Sequence, residues 1–238
     1  MLDLRIFVKL PLILTVAISP KENTESMKLF EMRKEYRAPE ISLEDLNPDP
    51  FTQFEGWFTE ASERYGDHTN AMSLATASAG AAPSIRTVLL KSFDRDGFVF
   101  FTNYGSRKAK EINENPQVAL MFPWIEMHRQ VIITGTASKI STAESLTYFI
   151  SRPRGSQLGA WISQQSSVIS SRKALMMQWE HMKEKFKDGN IPLPDFWGGY
   201  RVKPVHFEFW QGQENRLHDR FYYSPQDDGG WVIELLSP

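Results

Sequence analysis

The chain contains no cysteine. That excludes disulfides, thiolate metal ligands and a cysteine nucleophile, and it fits a reducing compartment such as the cytoplasm. An excess of charge of either sign is also nearly absent. A formal net charge of −2 over 238 residues gives no surface built to grip nucleic acid or an anionic membrane, so any basic site must be local. Walker, GxGxxG, HExxH and GxSxG motifs are missing, no fixed-period repeat stands out, and no metal site is expected. Long apolar runs are also lacking. "LPLILTVAIS" (Leu10 to Ser19) follows Arg5 and Lys9, but it is roughly ten residues long where a bilayer span needs about 20. No small-x-small cleavage site follows it. Residues 1–26 are therefore read as an N-terminal extension with Met27 as an alternative first residue; a targeting segment is the competing reading. No stable membrane association is expected.

What is present suits one globular domain: 41% hydrophobic and 24% charged residues, long enough to bury a core. Residues 27–48 read as a charged arm, part helix and part loose. Residues 49–238 read as the folded domain. Phe51, Phe54, Trp57 and Phe58 recur at helical spacing behind Pro50, the pattern of a helix packing an aromatic stripe on the core. Strand patterns follow in "AMSLATAS", "SIRTVLLKSF" and, after the turn "DRDG", "FVFFTN". "QVALMFPW" and "RQVIITGTAS" read as an adjacent pair. "GGYRVKPVHFEFWQG" is expected to set Val205, Phe207 and Phe209 on one face and His206, Glu208 and Trp210 on the other. "RFYYS" and "GWVIELL" close the chain. Helices interrupt these strands: one capped by Ser106, one opened by a Ser141/Glu144 capping box and ended near Arg152 by Pro153, and an amphipathic one in "SSRKALMMQWEHMKEKFKDGN". Short strands with turn signals point to a mainly β, α+β antiparallel barrel rather than a doubly wound sheet.

Four cation sets stand out. Arg107 and Lys108 occupy the first turn of a helix, where acidic residues are favoured; a phosphate converging on them would reverse the sign of that cost, and two solvated side chains would equally explain them. Arg86 and Lys91 lie five apart and face opposite sides of a regular strand. Tyr148 and Arg152 share a helix face with Ser156 just beyond, a set that can cradle a phosphate or simply stack at the surface. Arg216, His218 and Arg220 project to one side if "NRLHDRF" runs extended, with Asp219 pointing away. An acidic chain with several local basic clusters suggests phosphorylated ligands. Gln130, Gln165, Ser166 and Trp210 add groups that can edge or face a planar heterocycle.

The segments "RTVLLK", "FFTNYGSRKAKEI", "HRQVIITG", "YFISRPRGSQLGAW", "QQSSVI", "FWGGYRV" and "EFWQGQENRLHDRF", in this order, resemble the pyridoxine (pyridoxamine) 5′-phosphate oxidase family over roughly Arg33 to Pro238. The resemblance implies an FMN-binding split β-barrel and a homodimer with flavin at the subunit interface. It implies oxidation of pyridoxine 5′-phosphate or pyridoxamine 5′-phosphate to pyridoxal 5′-phosphate, with O2 reduced to H2O2. The FMN contacts it implies are Arg86, Thr87, Val88, Leu89, Leu90, Lys91, Phe101, Thr102, Arg107, Lys108, Gln130, Gln165, Ser166, Trp210 and Arg220. Lys91, Tyr148, Arg152 and Ser156 would take the substrate phosphate. Arg216, Leu217 and His218 would lie against the pyridine ring, with Arg216 and His218 as the catalytic pair, and Arg33, Lys34, Glu35 and Tyr36 would form a mobile cover. His68, beside Asp67, departs from the acidic residue expected there. A split-barrel flavin reductase and a non-catalytic carrier of FMN or pyridoxal phosphate are the alternatives; no nucleic-acid partner is expected.

Overall fold

The structure, a computed structural model, describes residues 35, 36, 38–163 and 165–238. The N-terminal extension and residues 27–34, and with them Arg33 and Lys34, lie outside the described residues. The chain opens with α1 (Pro50–Tyr65), then β1 (Ala71–Ala77), β2 (Pro83–Leu89), β3 (Ser92–Asp94) and β4 (Gly97–Asn103). Next come α2 (Arg107–Glu114), β5 (Gln117–Trp124), β6 (Arg129–Lys139), α3 (Thr142–Ser151), α4 (Arg154–Ile162) and α5 (Arg172–Lys185). It finishes with β7 (Trp197–Gln211), β8 (Asp219–Pro225) and β9 (Trp231–Leu235).

All strand pairings are antiparallel, in the order β2-β1-β5-β6-β7-β4-β3, with β8 and β9 continuing from β7. β7 is the organiser. Its first half pairs with β4, its second half with β8, and most of its length with β6. The β3–β4 ladder extends by one residue toward β2, where the Lys91 N–H donates to the Val99 carbonyl at 2.8 Å. The result is the mainly β, α+β split-barrel architecture expected from the strand pattern.

One sheet face is packed and the other is not. Met72, Leu74 and Thr76 of β1 and Val118, Leu120 and Phe122 of β5 are buried, and the residues between them are only half-buried. α1 closes over the packed face. Asp49 caps it by accepting from the Thr52 N–H at 3.1 Å, and Phe54, Trp57 and Ala61 are buried. Rings from Phe54, Phe93, Phe98 and Phe122 meet at centroid distances of 5.0–6.5 Å, and each such buried ring contributes roughly 1.5–3 kcal/mol.

Two expectations need correction. Val205 is not on the core face. A β-bulge between Thr134 and Gly135 shifts the register with β7, so Val202 and then Phe207 point inward while Val205 is 39% exposed. Alternation read straight through that strand misses the parity change. "SIRTVLLKSF" is two strands, not one: it breaks at Leu90, whose side chain enters the core and whose N–H donates to the Asn70 carbonyl at 2.8 Å. α4, which carries Ser156, was not anticipated either; Pro153 ends α3 and immediately serves as the N-cap of α4. A second small core of Phe149, Leu158, Ala160, Ile191 and Trp197 joins α3 and α4 to the start of β7. The space between this core and the barrel is the site described next. Among the described residues no helix is long and apolar enough to cross a membrane, and no group of acidic or histidine side chains is placed to hold a metal.

Candidate active site

A cleft of about 600 Å³ opens where the ends of β2 and β4 face α2, α3 and α4. Thr87, Val88, Leu89, Lys91, Phe101, Thr102, Lys108, Tyr148, Arg152, Ser156 and Gln165 all line it. Three cations line this cleft, and none of its lining residues is acidic. Lys108 and the Tyr148/Arg152/Ser156 set, at least 40 residues apart in sequence and each read as part of a phosphate site, thus share one space.

Lys108 is the floor. It is 7% exposed, and its ammonium donates to the Thr102 hydroxyl at 3.2 Å and the Gln165 side-chain oxygen at 2.9 Å. Both partners are neutral. Burial, with the nearby Arg86 charge, lowers its pKa to about 8. A buried cation without a carboxylate in hydrogen-bond contact is costly unless an anion completes it. Arg152 repeats the theme elsewhere in the lining. Its guanidinium carbon lies 4.6 Å above the Trp197 ring, and its Nη1 is buried without a hydrogen-bond partner. Burial pushes its pKa down, with Tyr148 opposing. The wall beside it is aromatic: Phe101 stacks on Tyr148 at 3.9 Å and on Trp197 at 5.3 Å. Tyr148 therefore stacks on Phe101 rather than on Arg152, and Tyr148, Arg152 and Ser156 do converge.

Of the two helix-start cations, Lys108 lines the cleft and Arg107 lies outside its lining. Ser106 caps α2, and the Arg107 N–H is already donated to the Ser166 hydroxyl at 3.2 Å. The Arg107 side chain is 63% exposed and bends to Glu111 at 2.7 Å, while Lys108 turns inward. Arg86 also goes to Glu111, at 3.2 Å, and to the Leu74 carbonyl at 3.0 Å. Glu111 was not singled out from sequence. Only its spacing of four from Arg107 on a helix could have signalled it. Burial pushes its carboxyl up, but hydrogen bonds from Ser84, Thr76 and Arg107 outweigh that and hold it at about 2. Trp197 is a second omission.

The remaining residues lie outside the cleft lining, around the β7–β8 hairpin. Gln130 pairs across the sheet with Trp210, and Trp210 with Arg220. The extended reading of this stretch is wrong. Glu214 to Arg216 form a short turn, with Asn215 at φ 55° and Arg216 at φ 64°, and β8 starts only at Asp219. A positive φ is uncommon for arginine and costs of order 1–3 kcal/mol. The three side chains consequently diverge. Arg220 donates to Glu208 at 2.9 Å. His218 packs against Trp210 at 4.7 Å, and its Nδ1 accepts the Gln213 N–H at 3.0 Å. Arg216 is exposed, as is Leu217. Asp219, the first residue of β8 and on the opposite strand face from Arg220, accepts from the Gln213 side chain at 2.6 Å. Tyr36 of the arm sits edge-on to His128, Trp210 and His218 at 4.9–5.7 Å, and Glu35 precedes it. Asp67 and His68 lie in an exposed turn after α1.

Barrel and cleft together define a split-barrel protein with an anion-receptive pocket walled by aromatic rings. The family model for pyridoxamine 5′-phosphate oxidase matches residues 58–186, and that for the pyridoxine 5′-phosphate oxidase C-terminal dimerisation region matches residues 197–238. The chain belongs to the pyridoxamine 5′-phosphate oxidase family and is an oxidoreductase. It is 63% identical over 214 residues to a pyridoxine/pyridoxamine 5′-phosphate oxidase of Crocosphaera subtropica, covering 89% of this chain and 100% of that one. It is 54% identical over 212 residues to the enzyme of that name from Aliarcobacter butzleri, again covering 89% and 100%. Among solved structures, PhzG from Burkholderia lata, in complex with tetrahydrophenazine-1-carboxylic acid, superposes with a TM-score of 0.78 at 27% identity, covering 84% of this chain and 99% of that one.

Proposed function

We propose that the chain is an FMN-dependent oxidase acting on pyridoxine 5′-phosphate and pyridoxamine 5′-phosphate. The alcohol and O2 give pyridoxal 5′-phosphate and H2O2; the amine, O2 and water give the same products with NH3. The observation that carries the reading is the cleft itself, whose lining offers two cations, Lys108 and Arg152, each lacking a charged partner in hydrogen-bond contact among the described residues. One phosphate ester would satisfy one of them. Two phosphorylated ligands side by side would satisfy both.

The residues present fit FMN. Lys108, with Arg86, Arg107 and the Ser166 hydroxyl nearby, would hold its phosphate; Thr87, Val88, Leu89, Leu90, Phe101, Thr102 and Gln165 would border the rest. When bound, FMN supplies the two-electron acceptor that O2 reoxidises. Lys91, Tyr148, Arg152 and Ser156 would hold the substrate phosphate and so set the register of the pyridine ring, and orientation of this kind lowers a barrier by several kcal/mol. Arg216 would press on that ring. With Nδ1 already accepting a backbone N–H, His218 in its neutral form offers Nε2–H as a donor to the substrate.

Gln130, Trp210, Arg220 and the Arg216 turn line no part of the Lys108 cleft within one chain. A homodimer supports their inclusion. The outward sheet face carries Ala71, Ser73, Ala75, Ala119 and Met121, all only half-buried, and such a smooth strip between the two half-sites suits a second copy. Tyr36, with Arg33, Lys34 and Glu35, would cover the ring.

The test is direct. The purified protein should show a flavin spectrum, and pyridoxine 5′-phosphate added under air should yield H2O2 in step with pyridoxal 5′-phosphate. A colourless preparation that ignores added FMN would end the proposal. Bound flavin with no oxygen uptake would favour a carrier, and flavin reduction by a nicotinamide donor alone would favour a reductase.

A further inference from the structure

We propose that Glu111 is a positioning residue for a phosphate-monoester cradle at the α2 end of the cleft: a single buried carboxylate that aims two arginines from different elements and sets the net charge of the group. The proposal rests on the reading of this cleft as the flavin-phosphate site.

Glu111 is 5% exposed and uses both carboxylate oxygens. Oε2 accepts from the Thr76 hydroxyl at 2.5 Å, the Ser84 hydroxyl at 2.5 Å and Arg86 Nη2 at 3.2 Å. Oε1 accepts Arg107 Nε at 2.7 Å. These partners come from β1, β2 and α2, so one side chain ties the helix that carries Lys108 to the strand that carries Arg86. Packing alone does not call for this. A buried carboxylate is often replaceable by an apolar group of similar volume with no loss of stability, and an ion pair with a largely exposed arginine such as Arg107 adds little. Direction is what the contacts do supply. Arg107 lies next to buried Lys108 and is turned by Glu111 at its Nε. Arg86 has both terminal nitrogens engaged, by Leu74, Thr76, Ser84 and Glu111, so its charge is held at a constant place beside Lys108.

The charges also match a ligand class. Arg86, Arg107 and Lys108 against Glu111 leave two positive charges. A phosphate monoester carries about −1.5 to −2 near pH 7. Without Glu111 the cradle would be over-charged and its arginines free to separate.

The experiment is FMN affinity, followed by quenching of flavin fluorescence, in four proteins: wild type, Glu111→Gln, Arg107→Ala and the double variant. Glu111→Gln keeps the volume and removes the charge. It should weaken FMN by ~10-fold or more, and the loss should shrink to ~3-fold or less when Arg107 is already alanine, the coupling expected of residues in contact. With FMN saturating, the KM for pyridoxine 5′-phosphate should match wild type. Unchanged or tighter FMN binding in Glu111→Gln overturns the proposal, and so does an equal loss in both backgrounds, which marks a general structural role. Should Glu111→Gln fail to fold, Ser84→Ala removes one hydroxyl from the carboxylate and should weaken FMN by ~3-fold; wild-type affinity there overturns the proposal. A wild-type chain that takes up no FMN overturns the reading of the cleft instead.

Discussion

The cleft under α2, α3 and α4 and the hairpin between β7 and β8 are built in opposite ways. In the cleft Lys108 is buried and Arg152 half-buried, their positions are set by neutral hydrogen bonds and a stacked ring, and the cost of burying them is borne before any ligand arrives. At the hairpin the key cation, Arg216, is exposed on a turn with two successive residues at positive φ. The difference separates two tasks. Binding a phosphate rewards a rigid, dehydrated cradle, because the anion returns the desolvation cost. Pressing on a reacting ring needs a group placed by backbone geometry that still meets a ligand arriving from outside.

If that division holds, damage at the two regions should look different. The largest effect should come from the hairpin: Arg216→Ala should lower kcat/KM by ~10²–10³ while flavin absorbance is retained, and flavin lost from that variant would mean Arg216 belongs with the cofactor. Next comes the aromatic wall. Arg152→Ala should raise the KM for the phosphorylated substrate by ~10–100-fold, the worth of a charge-assisted contact of about 1.5–3 kcal/mol, with kcat much less changed; a fall in kcat alone would blur the comparison.

Lys108 should act on cofactor affinity rather than on turnover. Lys108→Met should weaken FMN by ~10-fold or more, as read by equilibrium dialysis. Its titration gives a second, signed readout. The folded protein holds this lysine at about 8 against 10.5 for an ordinary lysine, so between those values the unfolded chain binds more protons and the Lys108 contribution to stability rises with pH. Flavin affinity runs the other way and should decline as pH rises through about 8. Thermal melts of the apo protein from pH 7 to 10, wild type against Lys108→Met, isolate that slope. The smallest effect should be at the arm. A Cβ at position 212 would sit 2.7 Å from the Tyr36 ring; Gly212→Ala should therefore displace Tyr36 at an overpacking cost of about 1–3 kcal/mol, visible as altered Trp210 fluorescence with flavin content unchanged.

Much of this was legible in the sequence. Ser106 and the Ser141/Glu144 pair are caps because a side-chain oxygen must satisfy helix N–H groups, and both cap as read. β5 and β6 are legible as neighbours from their period-two patterns and short connection. The Tyr148, Arg152, Ser156 set came together even though α4 was unforeseen, since Pro153 redirects the chain without moving Ser156 away. Three features left little local trace. The bulge opposite Gly135 is set by register with another strand. The left-handed conformation of Arg216 overrides local preference. Glu111 reads as an ordinary surface residue of a charged helix until β1 and β2 close over it.

The sequence by itself determined the caps, the alternation of the strands, the aromatic stripe of α1 and the kinds of charge available, because each depends on neighbours within a few residues. Only the tertiary structure decided which cations share a space and which are claimed by Glu111 or Glu208. Burial and long-range pairing set the energy of a charge, and neither is a local property of the chain.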